Sequence, residues 1–251
     1  MKWWIGCSGF YYPEWKELFY PVDLPKNNWF EFYCKTFNSV EINATFYKFP
    51  KIDFFKNWFD RSPDNFKFSV KVPRIITHYK RFKNSEKEIE DLYNVASLGL
   101  KDKLGCILFQ LHPDISYSEL NLELIINSLN SSFSNVVEFR HESWWKSDVI
   151  NELEKNGTTF CNISHPTLPD EVVRTAPIMY YRFHGVPYLY QSNYSEADLR
   201  YVIGALRNSE NVTECYMYFN NTMQGAAVRN ARLLQEFSEE KSIAGNIGRM
   251  D

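Results

Sequence analysis

Ionisable and amide side chains recur in this sequence at the ends of short apolar runs, on one alternating parity. Val40-Glu41-Ile42-Asn43, Phe68-Ser69-Val70-Lys71, Val137-Glu138-Phe139-Arg140 and Tyr181-Arg182-Phe183-His184 each interleave a hydrophobic residue with one that can ionise or hydrogen-bond. In a β-strand that alternation sends the two sets to opposite faces, so several strands present polar groups to a shared region. Gln110, Asn162, Asn220 and the adjoining Asn221 extend the set. Arginine forks suit phosphate or carboxylate and a lysine adds a point charge. Arg140, Arg182 and Lys71 are therefore expected to hold an anion. Glu41 or Glu138 would act as acid or base, with His184 and Asn220 orienting the substrate. Two glutamates against these three cations leave the cup a formal charge of +1.

Other readings of the same residues stay open. Glu41 and Glu138 could flank a glycosidic bond as paired carboxylates. The charges could also pair among themselves and plug the fold, because buried charges must be paired and hydrogen-bonded. A non-catalytic binding module would use the same side chains. Tyr47, with Phe46, Trp144, Trp145, Tyr188 and Tyr190, falls in loops after strands, where rings can stack on a sugar or a base. His78, His112, His141, His165 and His184 lie near strand ends, but neighbouring Lys and Arg would oppose a dication. No cofactor or resident metal is expected, and a divalent metal at this mouth is left open.

The elements that must position these groups follow from periodicity and breakers. Strands are expected at 3–7, 39–43, 66–72, 105–111, from 135, and at 158–163, 178–183 and 214–219. Helices are expected at 28–37, 52–59, 85–98, 118–129, 145–155, 195–207 and 223–237. The helix at 85 opens with a Ser-Glu-Lys-Glu capping-box pattern, and Asn156-Gly157 reads as a left-handed helix stop. Eight strands with helices following most of them suit a single-domain, eight-stranded parallel (β/α)8 TIM-type barrel over 1–237, with a polar tail at 238–251. A doubly wound open sheet is the rival, but no glycine-rich phosphate fingerprint follows the first strand. In such a barrel the site lies at the C-terminal ends of the strands.

Bulk composition narrows the partners. The 251 residues are 44% hydrophobic and 24% charged with a formal net charge of −3, which argues against a protein that coats nucleic acid. Aromatics reach 17%, so either the core is rich in rings or some rings face a ligand. Five scattered cysteines without short paired spacing read as reduced core residues. No apolar run approaches about 18 residues and no leader pattern opens the chain. A cytoplasmic protein is expected, away from membranes, taking a small-molecule or nucleic-acid phosphate ligand.

With these residues assembled, the chain resembles the YecE-like family, catalogued as domain of unknown function 72. The matching blocks are Gly6-Cys7-Ser8-Gly9, Val40 to Asn43 with Thr45-Phe46-Tyr47, Phe66 to Lys71 with Thr77-His78, and Leu108-Phe109-Gln110. They continue with Val137 to His141 and Trp144, Tyr181 to Gly185, Phe219-Asn220-Asn221, Gly225-Ala226 and Asn230-Ala231. The resemblance implies an eightfold barrel similar to sugar isomerases and apurinic endonucleases, with the motif residues at the strand ends, and no established reaction. Taken with the motif, His141 and Trp144 join the expected ligand-binding set. Cys7, Phe10 and His112 depart from the family pattern of threonine, tryptophan and proline, and His112 adds an imidazole near the mouth.

Overall fold

The structure, a computed structural model, describes residues 1–240. Eight strands appear in the expected order: β1 (Lys2–Cys7), β2 (Ser39–Ile42), β3 (Lys67–Lys71), β4 (Leu104–Gln110), β5 (Asn135–Glu138), β6 (Thr159–Ser164), β7 (Ile178–Phe183) and β8 (Glu214–Phe219). Every pair from β2 through β8, and the β8–β1 pair, is parallel. Around them lie α1 (Trp29–Thr36), α2 (Ala44–Tyr47), α3 (Ile52–Arg61), α4 (Glu86–Leu100), α5 (Glu119–Ser128), α6 (Ser147–Lys155), α7 (Glu196–Arg207) and α8 (Ala226–Glu239). Of the expected tail at 238–251, Ser238 and Glu239 belong to α8, and the part beyond Glu240 lies outside the described residues. No helix among the described residues is long and apolar enough to cross a membrane.

Closure between β1 and β2 uses side chains where the other seams use a backbone ladder. A single parallel bridge joins Ser8 to Glu41. Below it, Asn38 Oδ1 accepts from the Ile5 amide at 2.9 Å while its Nδ2 donates to the Trp3 carbonyl at 2.8 Å. The Tyr33 hydroxyl accepts from the Cys7 amide at 2.7 Å and donates to the Ser39 carbonyl at 2.9 Å. These groups satisfy backbone polar atoms that burial would otherwise strand. Gly6 makes the approach feasible, since a Cβ there would sit 1.9 Å from the Ser39 oxygen.

The apolar parity of each strand faces the helices, and the other parity fills the barrel. Outside lie residues such as Ile5, Val40, Phe68, Val70, Phe109, Val137, Phe183 and Phe219, packed with the buried faces of the helices. Inside, Trp4, Cys106, Leu108, Val136, Cys161, Ile163, Tyr180, Tyr216 and Tyr218 form a separate cluster. Much of the aromatic content is core around α1, where Trp15, Tyr20, Trp29, Phe30 and Tyr33 are buried. All five cysteines are unpaired, and all but Cys34 are buried.

Local signals were mostly realised. Gly157 adopts a left-handed φ of 61° after α6. The Ser85 capping box does not form: the Ser85 hydroxyl donates to the Phe82 carbonyl instead, although the helix still starts at Glu86. A capping box closes α7, where Ser195 and Asp198 satisfy each other's amides. The last helix starts three residues later than expected, at Ala226, because Gln224 and Gly225 take positive φ of 53° and 68°. At the seam, Gly6→Ala is expected to lower stability by about 3 kcal/mol through overpacking against the Ser39 carbonyl. Urea unfolding measures this, and an unchanged midpoint would contradict the close approach.

Candidate active site at the C-terminal mouth of the barrel

The inward parity delivers Glu41 from β2, Lys71 from β3, Gln110 from β4, Glu138 and then Arg140 from β5, Arg182 and then His184 from β7, and Asn220 after β8. At its centre is Arg182, fully buried between two fully buried carboxylates. Its Nη2 donates to Glu41 Oε1 at 2.7 Å and its Nη1 to Glu138 Oε2 at 2.5 Å. Glu41 Oε2 accepts from the Tyr180 hydroxyl at 2.7 Å. Arg140 Nε lies 2.5 Å from Glu138 Oε1, and His184 Nε2 faces the same oxygen at 3.1 Å. Burial alone would push the Glu138 carboxyl up, but Arg140, Arg182 and His184 together hold it well below the usual carboxylate range.

His184 is fixed on both nitrogens. Asn220 Nδ2 donates to its Nδ1 at 3.0 Å, which places the ring proton on Nε2, facing Glu138. Burial, followed by the charge of Arg140, keeps the imidazole well below its ordinary pKa, so it is neutral. Neither Glu41, Glu138 nor His184 lines the open cavity above them.

That cavity, about 620 Å³, is walled by Lys71, Arg74, Arg140 and Arg182, with Asn43, Gln110, Asn220 and the rings of Tyr12, Phe46, Tyr47, His78, Tyr79, His112 and Tyr190. No carboxylate among the described residues lines it. Gln110 Oε1 accepts from three cations at once: Lys71 Nζ at 2.8 Å, Arg182 Nη1 at 3.2 Å and Arg140 Nη2 at 3.3 Å. Asn43 Oδ1 is buried without a hydrogen-bond partner. At the rim, the Arg74 guanidinium lies 5.7 Å from the Tyr47 ring centre and 5.4 Å from that of Tyr79.

Several expected residues stand elsewhere. Trp144 is fully buried on the outer side, stacked on Phe139 at 4.4 Å with its Nε1 donating to the Ile115 carbonyl. His141 caps the turn at Glu142–Trp144 through Ser143. Asn221 donates to the Ser192 carbonyl and to Asn230 Oδ1, tying the loop after β7 to α8. Asn162 faces outward, because Cys161 and Ile163 take the inner parity of β6, and it binds both the amide and the carbonyl of Val173. Arg182 commits both Nη atoms to the glutamates, so its fork points to the floor. Tyr12, Arg74 and Tyr79 were missed: they lie in irregular loops or the π-helical turn Ile75–Tyr79, where strand parity carries no signal. His78 and His112 meet edge to face at 5.2 Å, but among the described residues no group of three His, Cys, Asp or Glu is placed to hold a metal ion.

The buried charges set a sign for acid stability. His184 binds its proton more weakly folded than unfolded, so its contribution is fully present above about pH 6.5 and lost as pH falls below it. Glu138 behaves likewise below about pH 4.3. Replacing His184 with Gln is expected to flatten the stability slope between pH 6 and 5 by up to about 1.4 kcal/mol per unit. The remaining slope there belongs to His78 and His165, each pushed down to about 4 mainly by burial. Urea titrations across that range check it; an unchanged slope would mean that His184 is protonated in the folded state.

The family model for "Protein of unknown function DUF72" matches residues 4–246. The UPF0759 protein YecE of Escherichia coli (strain K12) is 27% identical over 173 residues, which is 68% of this chain but only 61% of that protein's length. The UPF0759 protein YunF of Bacillus subtilis (strain 168) is 22% identical, covering 86% of this chain and 89% of its own. A solved DUF72 family protein from Thermotoga maritima superposes with a TM-score of 0.87 at 28% identity, over 96% of this chain and all of the other. With its eight-stranded parallel barrel and a family match over nearly its whole length, this chain belongs to the DUF72 family.

Proposed function

We propose that the mouth of the barrel binds a small phosphate-bearing ligand. The observation that carries this reading is a cavity lined by four basic side chains and, among the described residues, no carboxylate, with Glu41 and Glu138 sealed in the floor beneath them. Including Arg74, the formal charge of the assembly rises to +2, and low-dielectric walls strengthen its attraction for an anion. Arg140 and Arg74 would hold the phosphate, with Lys71 beside it at the cavity wall. The unpartnered Asn43 Oδ1 suits a ligand hydroxyl, and Tyr47, Tyr79 and Tyr190 offer ring faces at the entrance. The enclosed volume lies in the range of small-molecule sites and favours a sugar phosphate or a single nucleotide over a duplex.

Glycoside hydrolysis by paired glutamates has no support in this geometry, since both carboxylates are buried and ion-paired to Arg182. In this reading Glu41 and Glu138, expected as acid or base, and His184, expected to orient the substrate, instead support the cations from beneath the cavity.

Glycerol phosphate titrated by calorimetry tests the reading. Arg74→Ala, on the rim and exposed, is expected to weaken binding roughly tenfold, and Arg140→Ala by up to about a hundredfold, the value of one to two charge-assisted hydrogen bonds. Neutral glycerol should give no heat. Equal affinity in wild type and both variants, or no binding by wild type at millimolar concentration, would contradict the proposal.

A further inference from the structure

Among the basic groups below the cavity's rim, Lys71 stands apart. Arg140 and Arg182 each rest on Glu138. Lys71 is 9% exposed, at the end of β3, and no carboxylate among the described residues lies within ion-pair distance of it. Among the described residues its amine donates only to Gln110 Oε1, an oxygen already shared with two guanidinium groups. Its Nζ lies over the Phe46 ring, 4.2 Å from the ring centre. Three cations around one neutral oxygen are crowded, and a guanidinium does not give up a proton. The lysine is the group that can relieve the crowding.

The charged and titratable groups facing it are Arg182 from β7, Glu138 and Arg140 from β5 and just after it, Glu41 from β2, and His78 from the turn after β3. Burial first, and Arg182 next, outweigh the two glutamates and bring the Lys71 amine down to about 7. Near neutral pH a substantial share of it is therefore unprotonated, with a lone pair available at the cavity wall. An amine that only neutralised phosphate would gain nothing from this placement.

We infer that Lys71 Nζ is a nucleophile that forms an imine with the carbonyl carbon of a phosphate-bearing aldehyde or ketone. This rests on the phosphate reading above and deepens it by naming the ligand's reactive group. The Nζ lone pair forms the C–N bond while one N–H proton passes to the carbonyl oxygen, giving a carbinolamine. Loss of that hydroxyl with the second N–H proton, as water, leaves the C=N bond. No oxidant or reductant enters. The phosphate, held by Arg74 and Arg140, supplies the counter-charge when the imine protonates, so anion binding and imine formation support each other.

The full chain is incubated with glycolaldehyde phosphate and cyanoborohydride, which reduces an imine to a stable secondary amine, and the adducts are mapped by peptide mass spectrometry. The expected result is one dominant adduct, at Lys71, formed at least tenfold faster than with unphosphorylated glycolaldehyde and suppressed by inorganic phosphate. Its rate should rise with an inflection near pH 7. Lys71→Arg and Lys71→Met, each checked for an unchanged melting profile, should abolish the adduct. Labelling spread over surface lysines without preference for Lys71, or equal rates for the two aldehydes, would overturn the inference. If wild type binds inorganic phosphate in that case, the phosphate cup survives and only the imine falls; if it binds none, both fall together.

Discussion

A single buried guanidinium organises the upper half of this barrel. Arg182 reaches from β7 to glutamates on β2 and β5, so one side chain ties together three strands that are not neighbours. Leaving any of these charges alone in the interior would cost several kcal/mol, whereas the set together satisfies each member. Burial acts against the charged guanidinium, yet Glu138 and Glu41 together keep its pKa well above the ordinary arginine value. The two carboxylates are sealed inside the barrel and paired, while Lys71, Arg74 and Arg140 line the cavity above them.

The barrel interior is consequently layered by chemistry. Trp4 and Tyr216 sit low, with Glu214 accepting from both. Ser39, Ser69 and Tyr218 form a hydroxyl cluster in the middle. Glu41 and Glu138 come next, and the basic groups with Gln110 lie at the top. The order sets positive charge at the mouth and keeps beneath it the negative charge that makes the cations tolerable. His184 belongs to the same construction, as a neutral donor to Glu138 locked by Asn220.

Strand parity made most of this legible from sequence. Glu41, Asn43, Lys71, Gln110, Glu138, Arg140, Arg182, His184 and Asn220 all lie on the inward face, because the helix-facing parity had to be apolar. Asn162 escaped the rule, since in β6 the small apolar Cys161 and Ile163 fill the barrel while the asparagine serves a loop. What parity could not show was depth. Nothing in a one-dimensional pattern distinguishes a glutamate that faces solvent from one sealed beneath an arginine two or three strands away around the barrel. Trp144, His141 and Asn221 were drawn in by adjacency to motif residues, yet a single step along the chain after a strand suffices to turn a side chain from mouth to wall. Arg74 and Tyr79 were invisible for the converse reason: a π-helical turn brings them over the cavity without a periodic signature.

The central claim is that the cations at the mouth present unneutralised charge to an oxyanion. Its most direct measurement is a crystal of the wild-type protein soaked in tungstate, with the metal located by anomalous scattering. A peak inside the cavity, within hydrogen-bonding reach of Arg140 and Lys71 and abolished by competing phosphate, is the predicted result. Tungstate found only on the outer surface, with the cavity holding water alone, would contradict the account.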